Sequence, residues 1–232
     1  MFRAAFLFCL GSCVALMTGC RGGVSRQVLA RVLSVQGEVV YQMDGRDRFR
    51  SLTLETNPGP GSLLQTAGDA QANFALVPGA LVQISGNSEL KIEELLLRKD
   101  GNETEDGMRK RTARVRLNRG SINIVFEQRD ESEIRFTVGT PQVIISLYED
   151  CVSQIRVENA TTRVTCARGE VYVWTANPKP SVVKAGYFQE WPSGVTAASA
   201  DDVRGQIDVT EALEAERELQ ELQLRRLNRP TF

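Results

Sequence analysis

Between Val28 and Trp191 the chain alternates apolar and polar residues in short runs and offers no helical period. Leu90 and Ile92 flank Lys91, Val115 and Leu117 flank Arg116, and Ile122, Ile124 and Phe126 share one parity. The spacing returns in Ile134, Phe136 and Val138, in Val143, Ile145 and Leu147, in Ile155 and Val157, and in Val171 and Val173. A strand turns successive side chains to opposite faces, so each run reads as a strand with one buried face. Turn residues punctuate the runs at Val77-Pro78-Gly79, Ser85-Gly86-Asn87, Asn118-Arg119-Gly120, Glu158-Asn159-Ala160 and Ala185-Gly186. Residues 30–191 are therefore predicted to form an all-β domain, an antiparallel sandwich or roll of a dozen or more short strands.

Composition then narrows the chemistry. The 232 residues carry 28 Lys and Arg against 29 Asp and Glu, so the chain lacks the basic excess that phosphate neutralisation requires, and no nucleic-acid partner is expected. It contains no His. That removes the commonest general base near neutral pH, the commonest metal ligand and every Ser-His or Cys-His nucleophile pair. There is no metal-ligand spacing, no phosphate-binding glycine loop and no convergent carboxylate pair, so neither a catalytic residue nor a cofactor is expected.

The first nineteen residues stand apart from the domain. Arg3 precedes an apolar stretch from Ala4 to Met17, shorter than the roughly 20 apolar residues that span a bilayer. The stretch ends in Leu16-Met17-Thr18-Gly19-Cys20, which resembles a bacterial lipobox, with Met17 where Leu is usual. Residues 1–19 are thus expected to be a lipoprotein signal peptide. Cys20 is the expected lipidation site, and residues 20–29 the tether. Arg21 in place of an Asp gives no reason for inner-membrane retention, so the expected location is the periplasmic face of the outer membrane, through a lipid anchor at Cys20.

After the signal peptide, Cys151 and Cys166 are the cysteines left besides Cys20. They sit near the ends of a predicted hairpin, residues 152–158 and 162–167. A turn centred between Glu158 and Asn159 sets them opposite and permits a disulfide. A turn displaced by one residue moves Cys166 towards Ser153 or Ile155 and leaves buried free thiols. A redox-active pair is the third possibility, disfavoured because such thiols are usually close in sequence with one at a helix start.

The composition changes after Trp191. Residues 192–207 read as a small, polar linker, and residues 208–228 as a helix capped by Asp208 or Thr210. Glu211, Glu214 and Glu216 lie early in it and Arg225 and Arg226 late, as the helix dipole favours. Ala212, Ala215, Leu219 and Leu222 form one stripe, which either docks back on the β domain or binds a partner.

Other candidates carry weaker signals. Asp100, Asn102 and Thr104 alternate as a calcium loop begins, but Glu105 stands where such a loop needs Gly. Arg109, Lys110, Arg111, Arg114, Arg116 and Arg119 form a basic run that suits an outward strand face, or an anionic lipid or glycan. Tyr172, Trp174, Tyr187, Phe188 and Trp191 are either core and cross-strand pairs or a glycan platform.

An ordered set of segments resembles the FecR domain, an all-β periplasmic module. The set opens with Gln36-Gly37-Glu38-Val39, Gly61-Ser62-Leu63-Leu64-Gln65-Thr66 and Ala70-Gln71-Ala72-Asn73-Phe74-Ala75-Leu76. It continues through Pro78-Gly79-Ala80-Leu81-Val82-Gln83-Ile84, Asn87-Ser88-Glu89-Leu90-Lys91-Ile92 and Arg114-Val115-Arg116-Leu117-Asn118-Arg119-Gly120-Ser121-Ile122. Phe136-Thr137-Val138-Gly139-Thr140-Pro141, Arg168-Gly169-Glu170-Val171-Tyr172-Val173 and Val183-Lys184-Ala185-Gly186 close it. The resemblance spans about residues 30–190. Signalling members also carry a cytoplasmic sigma-factor-binding segment and a transmembrane helix; here a signal peptide takes that place, so a direct anti-sigma role is not expected. Leu147-Tyr148-Glu149-Asp150-Cys151 also departs from the Arg-Gly-Thr-like turn frequent in the family.

Together these features predict a non-catalytic envelope lipoprotein that serves as a binding or scaffold module for another envelope component, with an envelope protein the expected partner. The alternatives are an accessory in envelope signalling or transport, as the resemblance implies, and a glycan- or peptidoglycan-binding module.

Overall fold

The computed structural model describes residues 23–43, 48–100, 107–128, 130–192, 198–199 and 202–227. Lipidation of Cys20, the signal peptide, and Asn102 and Thr104 of the calcium-like run lie outside them. In chain order the strands are β1 (Val24–Gln27), β2 (Arg31–Gln36), β3 (Val39–Gln42), β4 (Arg50–Ser51), β5 (Leu63–Thr66), β6 (Gln71–Val77), β7 (Ala80–Ile84), β8 (Glu89–Lys99) and β9 (Met108–Phe126). They continue as β10 (Glu133–Gly139), β11 (Ile144–Leu147), β12 (Cys151–Glu158), β13 (Thr161–Arg168), β14 (Glu170–Trp174), β15 (Ser181–Lys184), β16 (Tyr187–Trp191) and β17 (Ala198–Ser199). One helix, α1 (Val203–Leu227), follows.

The strands form two layers joined through β9. In layer A, β8 pairs with β1, β5 and β9, β5 continues to β3 and β4, and β9 continues through β10, β11, β14 and β15. Layer B runs β2, β6, β7, β9, β12, β13, β16, β17. Residues 108–119 of β9 pair with β8 in layer A, whereas 120–126 pair with β12 in layer B. The alternating apolar residues fill the space between the layers, and Phe74, Phe126, Phe136, Leu64, Ile92 and Leu117 are fully buried.

The predicted all-β architecture is thus present, with two differences. The segment Asn118-Arg119-Gly120, expected as a turn, lies inside β9. Gly120 has φ +86° and marks the point where the strand leaves one layer for the other. The second difference is a parallel pair, β9 with β10, in register from Lys110–Glu133 to Arg116–Gly139. A parallel pair needs a crossover. Here the second half of β9 supplies it, travelling back through layer B so that β10 restarts beside the first half.

Burial follows the same change. From Arg111 to Leu117, β9 alternates buried with exposed or half-buried residues; from Ser121 to Phe126 every residue is buried. Strands β7 and β12 are likewise buried on both faces over most of their length. The cover on their outer face is α1, which lies against β2, β6, β7, β9, β12 and β13. The helix begins at Val203, five residues earlier than expected, because its cap is Asp202. The Arg204 N–H donates to Asp202 Oδ1 (3.0 Å) and the Gln206 N–H to the Asp202 carbonyl (3.0 Å). Asp208 and Thr210, the two caps expected from the sequence, lie inside the helix instead: Asp208 is buried against layer B, and the Thr210 hydroxyl donates to the Gln206 carbonyl (2.8 Å).

The hairpin of β12 and β13 turns at Asn159-Ala160, one residue later than a bridge between the cysteines requires. Glu158 pairs with Thr161, Ile155 with Val164 and Ser153 with Cys166. A bulge between Val152 and Ser153 then sets Val152 opposite Arg168. Cys151 and Cys166 are both free and buried, so the expected disulfide is not formed. Both central turn residues have positive φ, 49° at Asn159 and 60° at Ala160, as a two-residue hairpin turn of this hand demands. Asn tolerates that conformation; for Ala it costs about 1–2 kcal/mol. Ala160→Gly is expected to raise stability by about 1 kcal/mol, after the entropy Gly adds to the unfolded chain. A denaturation curve checks this, and an unchanged or lowered midpoint contradicts it.

Candidate binding surfaces

The outer faces of the two layers differ sharply. On layer B a row of polar side chains crosses six strands in register: Ser34, Asn73, Gln83, Asn123, Gln154 and Thr165. They are joined laterally. Asn73 Nδ2 donates to Ser34 Oγ (2.8 Å), Asn123 Nδ2 to Gln83 Oε1 (2.9 Å) and Gln154 Nε2 to Asn123 Oδ1 (3.0 Å). Each amide occupies the outward position between inward apolar neighbours, as in Ala72-Asn73-Phe74 and Ile122-Asn123-Ile124. The alternation marked these positions as outward; that they carry amides rather than charges was the available signal that something polar covers them.

The cover is a set of carboxylates on α1. Glu218 accepts from Gln71 Nε2 (3.0 Å), Asn73 Nδ2 (2.7 Å) and Gln83 Nε2 (3.1 Å). Glu211 accepts from Gln154 Nε2 (2.7 Å) and Arg156 Nη2 (3.1 Å). Asp208 accepts from Thr165 Oγ1 (3.0 Å), Arg163 Nη1 (3.3 Å) and Arg156 Nη2 (3.4 Å), and Glu216 pairs with Arg168. Ala212, Ala215 and Leu219 are buried, and Leu222 is half-buried. A small apolar patch forms where Leu219 and Leu222 meet Leu33, Ala75, Leu81 and Val125. The stripe considered for partner binding is therefore used inside the chain.

Beside the helix, a groove of about 760 Å³ opens along the end of layer B. Gln71, Gln83, Asn123, Arg119, Glu214 and Glu218 are among its walls. Ligand pockets are mostly apolar with a few convergent polar groups; this groove has the opposite balance.

On layer A the outward faces divide into two regions. Over β8 and β9 every member of the basic run meets a carboxylate. Lys110 reaches Glu133 (2.8 Å), Arg116 reaches Glu93 (2.6 Å) and Arg119 lies 3.8 Å from Glu89. Arg109 pairs with Asp100, Arg111 with Asp130 and Arg114 with Glu94. Lys110, Arg114 and Arg116 therefore belong to a charged outward face, each exposed pair contributing little to stability, whereas Arg111 shares the parity of the buried Ala113, Val115 and Leu117. Arg111, with its side chain almost fully buried, holds Asp130 at a pKa of about 2, with Ser132 hydrogen bonds assisting.

Over β11, β14 and β15 the face is apolar. Ile144 stands opposite Trp174, and Tyr172 opposite Ser146 and Val182. Tyr148 meets Tyr172 edge to face at 5.3 Å. Ile144 is 53%, Tyr148 42% and Val182 37% exposed. Of the aromatics flagged in the sequence, Tyr172 and Trp174 belong to this strip, Tyr187 is exposed elsewhere, and Phe188 and Trp191 are buried. Phe188 lies under the guanidinium groups of Arg163 and Arg204, each 5.7 Å from its ring centre. Tyr148 and Ile144 escaped the sequence reading because they complete the strip only through strand pairing.

The thiols lie in the core between the layers. Burial pushes the Cys166 pKa up to about 12 and raises that of Cys151 as well. Cys166 Sγ donates to the carbonyls of Arg168 and Gly169, both at 3.3 Å. Both therefore stay protonated at neutral pH, unlike a nucleophilic cysteine.

These features define a two-layer β module with a polar, helix-covered face and an apolar, open one. Residues 62–172 match the family described as FecR protein. No curated protein matches the chain. Two crystal structures of a proposed anti-sigma factor from Parabacteroides distasonis, at 1.65 and 2.50 Å, are similar to it. They share 11% and 14% identity with TM-scores of 0.42 and 0.40, and 59% of each chain is covered in both comparisons. The chain thus spans about three fifths of the length of those structures.

Proposed function

We propose that this protein is a non-catalytic envelope lipoprotein, anchored through Cys20, whose FecR domain binds another envelope protein. The open strip of Ile144, Tyr148, Tyr172, Trp174 and Val182 carries this reading. Ile144, Tyr148 and Val182 are exposed and Tyr172 and Trp174 half-buried; contiguous apolar surface of this kind marks interaction sites, and Tyr and Trp are enriched where partners bind. The buried, protonated thiols support a non-catalytic role. A photo-crosslinking residue at Val182 in cells is expected to give a discrete protein adduct that Tyr172→Glu abolishes. The same probe at Arg114, within the charged face, is expected to give none. Equal labelling at both positions, or none at Val182, contradicts the proposal. Cys20→Ala is expected to move the protein from the membrane to the soluble fraction.

A peptidoglycan-binding module is the second reading, favoured by Tyr148, Tyr172 and Trp174 sharing one face. Cosedimentation with purified sacculi, lost in Trp174→Ala, is its expected sign.

A further inference from the structure

We propose that the amide-lined outer face of layer B is a recognition surface for an acidic amphipathic helix, occupied here by α1 and open to exchange for a helix of the same chemistry on a partner protein. This deepens the binding-module reading and rests on it, but it concerns the opposite face from the apolar strip.

The chemistry of the occupant is written in its contacts. Asp208, Glu211, Glu216 and Glu218 each meet donors fixed on the strands, whereas the apolar side chains that the described part of α1 buries fully are the small Ala212 and Ala215 and one leucine, Leu219, with Val209 and Leu222 half-buried. Charge complementarity supplies the specificity of such a contact, since a like-charged helix would set its cations against Arg156, Arg163 and Arg168. The apolar contribution is small for a helix of 25 residues, and polar, partly wet interfaces of this kind are those that separate.

The fit is also incomplete. Among the described residues, Asn73 Oδ1, Ser121 Oγ and Arg156 Nε on this face have no hydrogen-bond partner within the chain, and Ser121 and Arg156 line the open groove beside α1. Strand β17, paired to β16, holds the approach to α1 beside the sheet, so a displaced helix stays tethered and competes for its return.

The test uses the full chain and a labelled synthetic peptide of residues 202–227. The wild-type protein, its face occupied, is expected to bind the peptide weakly. The double variant Glu211→Lys/Glu218→Lys, whose own helix is repelled, is expected to bind it at least 10-fold more tightly, with affinity falling as salt rises. A peptide carrying the same two Lys substitutions is expected not to bind. Hydrogen exchange on the wild type gives an independent reading: excess acidic peptide is expected to lower protection in α1 and leave β6, β7 and β12 protected. No binding to a double variant that keeps its β spectrum, equal binding of the two peptides, or unchanged α1 protection would overturn the proposal. Loss of adducts at Val182 would instead count against the apolar strip and leave this result standing.

Discussion

Gly120→Ala is expected to cost about 4 kcal/mol, a large share of the stability of a domain this size. Two effects combine. At φ +86° an L side chain carries the left-handed penalty of about 1–2 kcal/mol. The added Cβ would also lie 2.2 Å from Ser88 Oγ and 2.4 Å from Ser88 Cα, and overpacking against a fixed neighbour costs about 1–3 kcal/mol. Ser88 cannot yield easily. Its N–H donates to Thr66 Oγ1 (2.9 Å), and its hydroxyl accepts from the Ser121 N–H (2.8 Å) and donates to the Ser121 carbonyl (3.2 Å). Those bonds tie the β7–β8 connection to the point where β9 changes layer. Gly186→Ala is the control: φ is +80° but nothing lies within 4 Å of the added Cβ, so only the conformational penalty applies. Urea unfolding of the two variants separates the effects. A Gly120→Ala loss no larger than that of Gly186→Ala would show that the crossing point is not constrained in this way.

Gly120 also shows where sequence patterns stop being informative. Glycine between polar residues reads as a turn, because period and turn chemistry are local. Whether the chain reverses or kinks there depends on the pairing of β9 with β8 and β12, which sequence does not display. The strands themselves were legible: Ile122, Ile124 and Phe126 face the core, as their parity implied. Their outward neighbours were not. Asn123 looks solvent-facing by parity, yet it is buried because α1 lies over it. The cysteine pairing turned on one residue of register, and the positive φ at Ala160 that decided it has no propensity signal, since Ala is a poor choice for that conformation. The apolar strip needed two long-range pairings, β11 with β14 and β14 with β15, before Ile144, Trp174, Tyr172 and Val182 became neighbours.

The helix start was misplaced for a related reason. Asp208 has the chemistry of a cap, and only tertiary contact shows that its carboxylate is needed elsewhere. Asp208→Ala is therefore expected to cost about 3 kcal/mol rather than the roughly 1 kcal/mol of a lost cap. The side chain is 4% exposed and joins α1 to Arg156, Arg163 and Thr165. Removing one partner of a buried pair leaves the other charge uncompensated, which typically costs about 3–5 kcal/mol. The lower end applies because Arg163 keeps Glu190 (2.7 Å) and Arg156 keeps Glu211 (3.1 Å). Asp208→Asn, which preserves shape and one acceptor, is expected to lose less. Arg225→Ala, breaking an exposed pair with Glu221 one turn away, is expected to lose under about 0.5 kcal/mol. Hydrogen exchange locates the effect: the first turns of α1 open first, while the strand pairs of layer A keep their protection. If Asp208→Ala lost no more than Arg225→Ala, the carboxylate ladder would not be what holds the helix, and the small contact of Leu219 and Leu222 would have to do so alone.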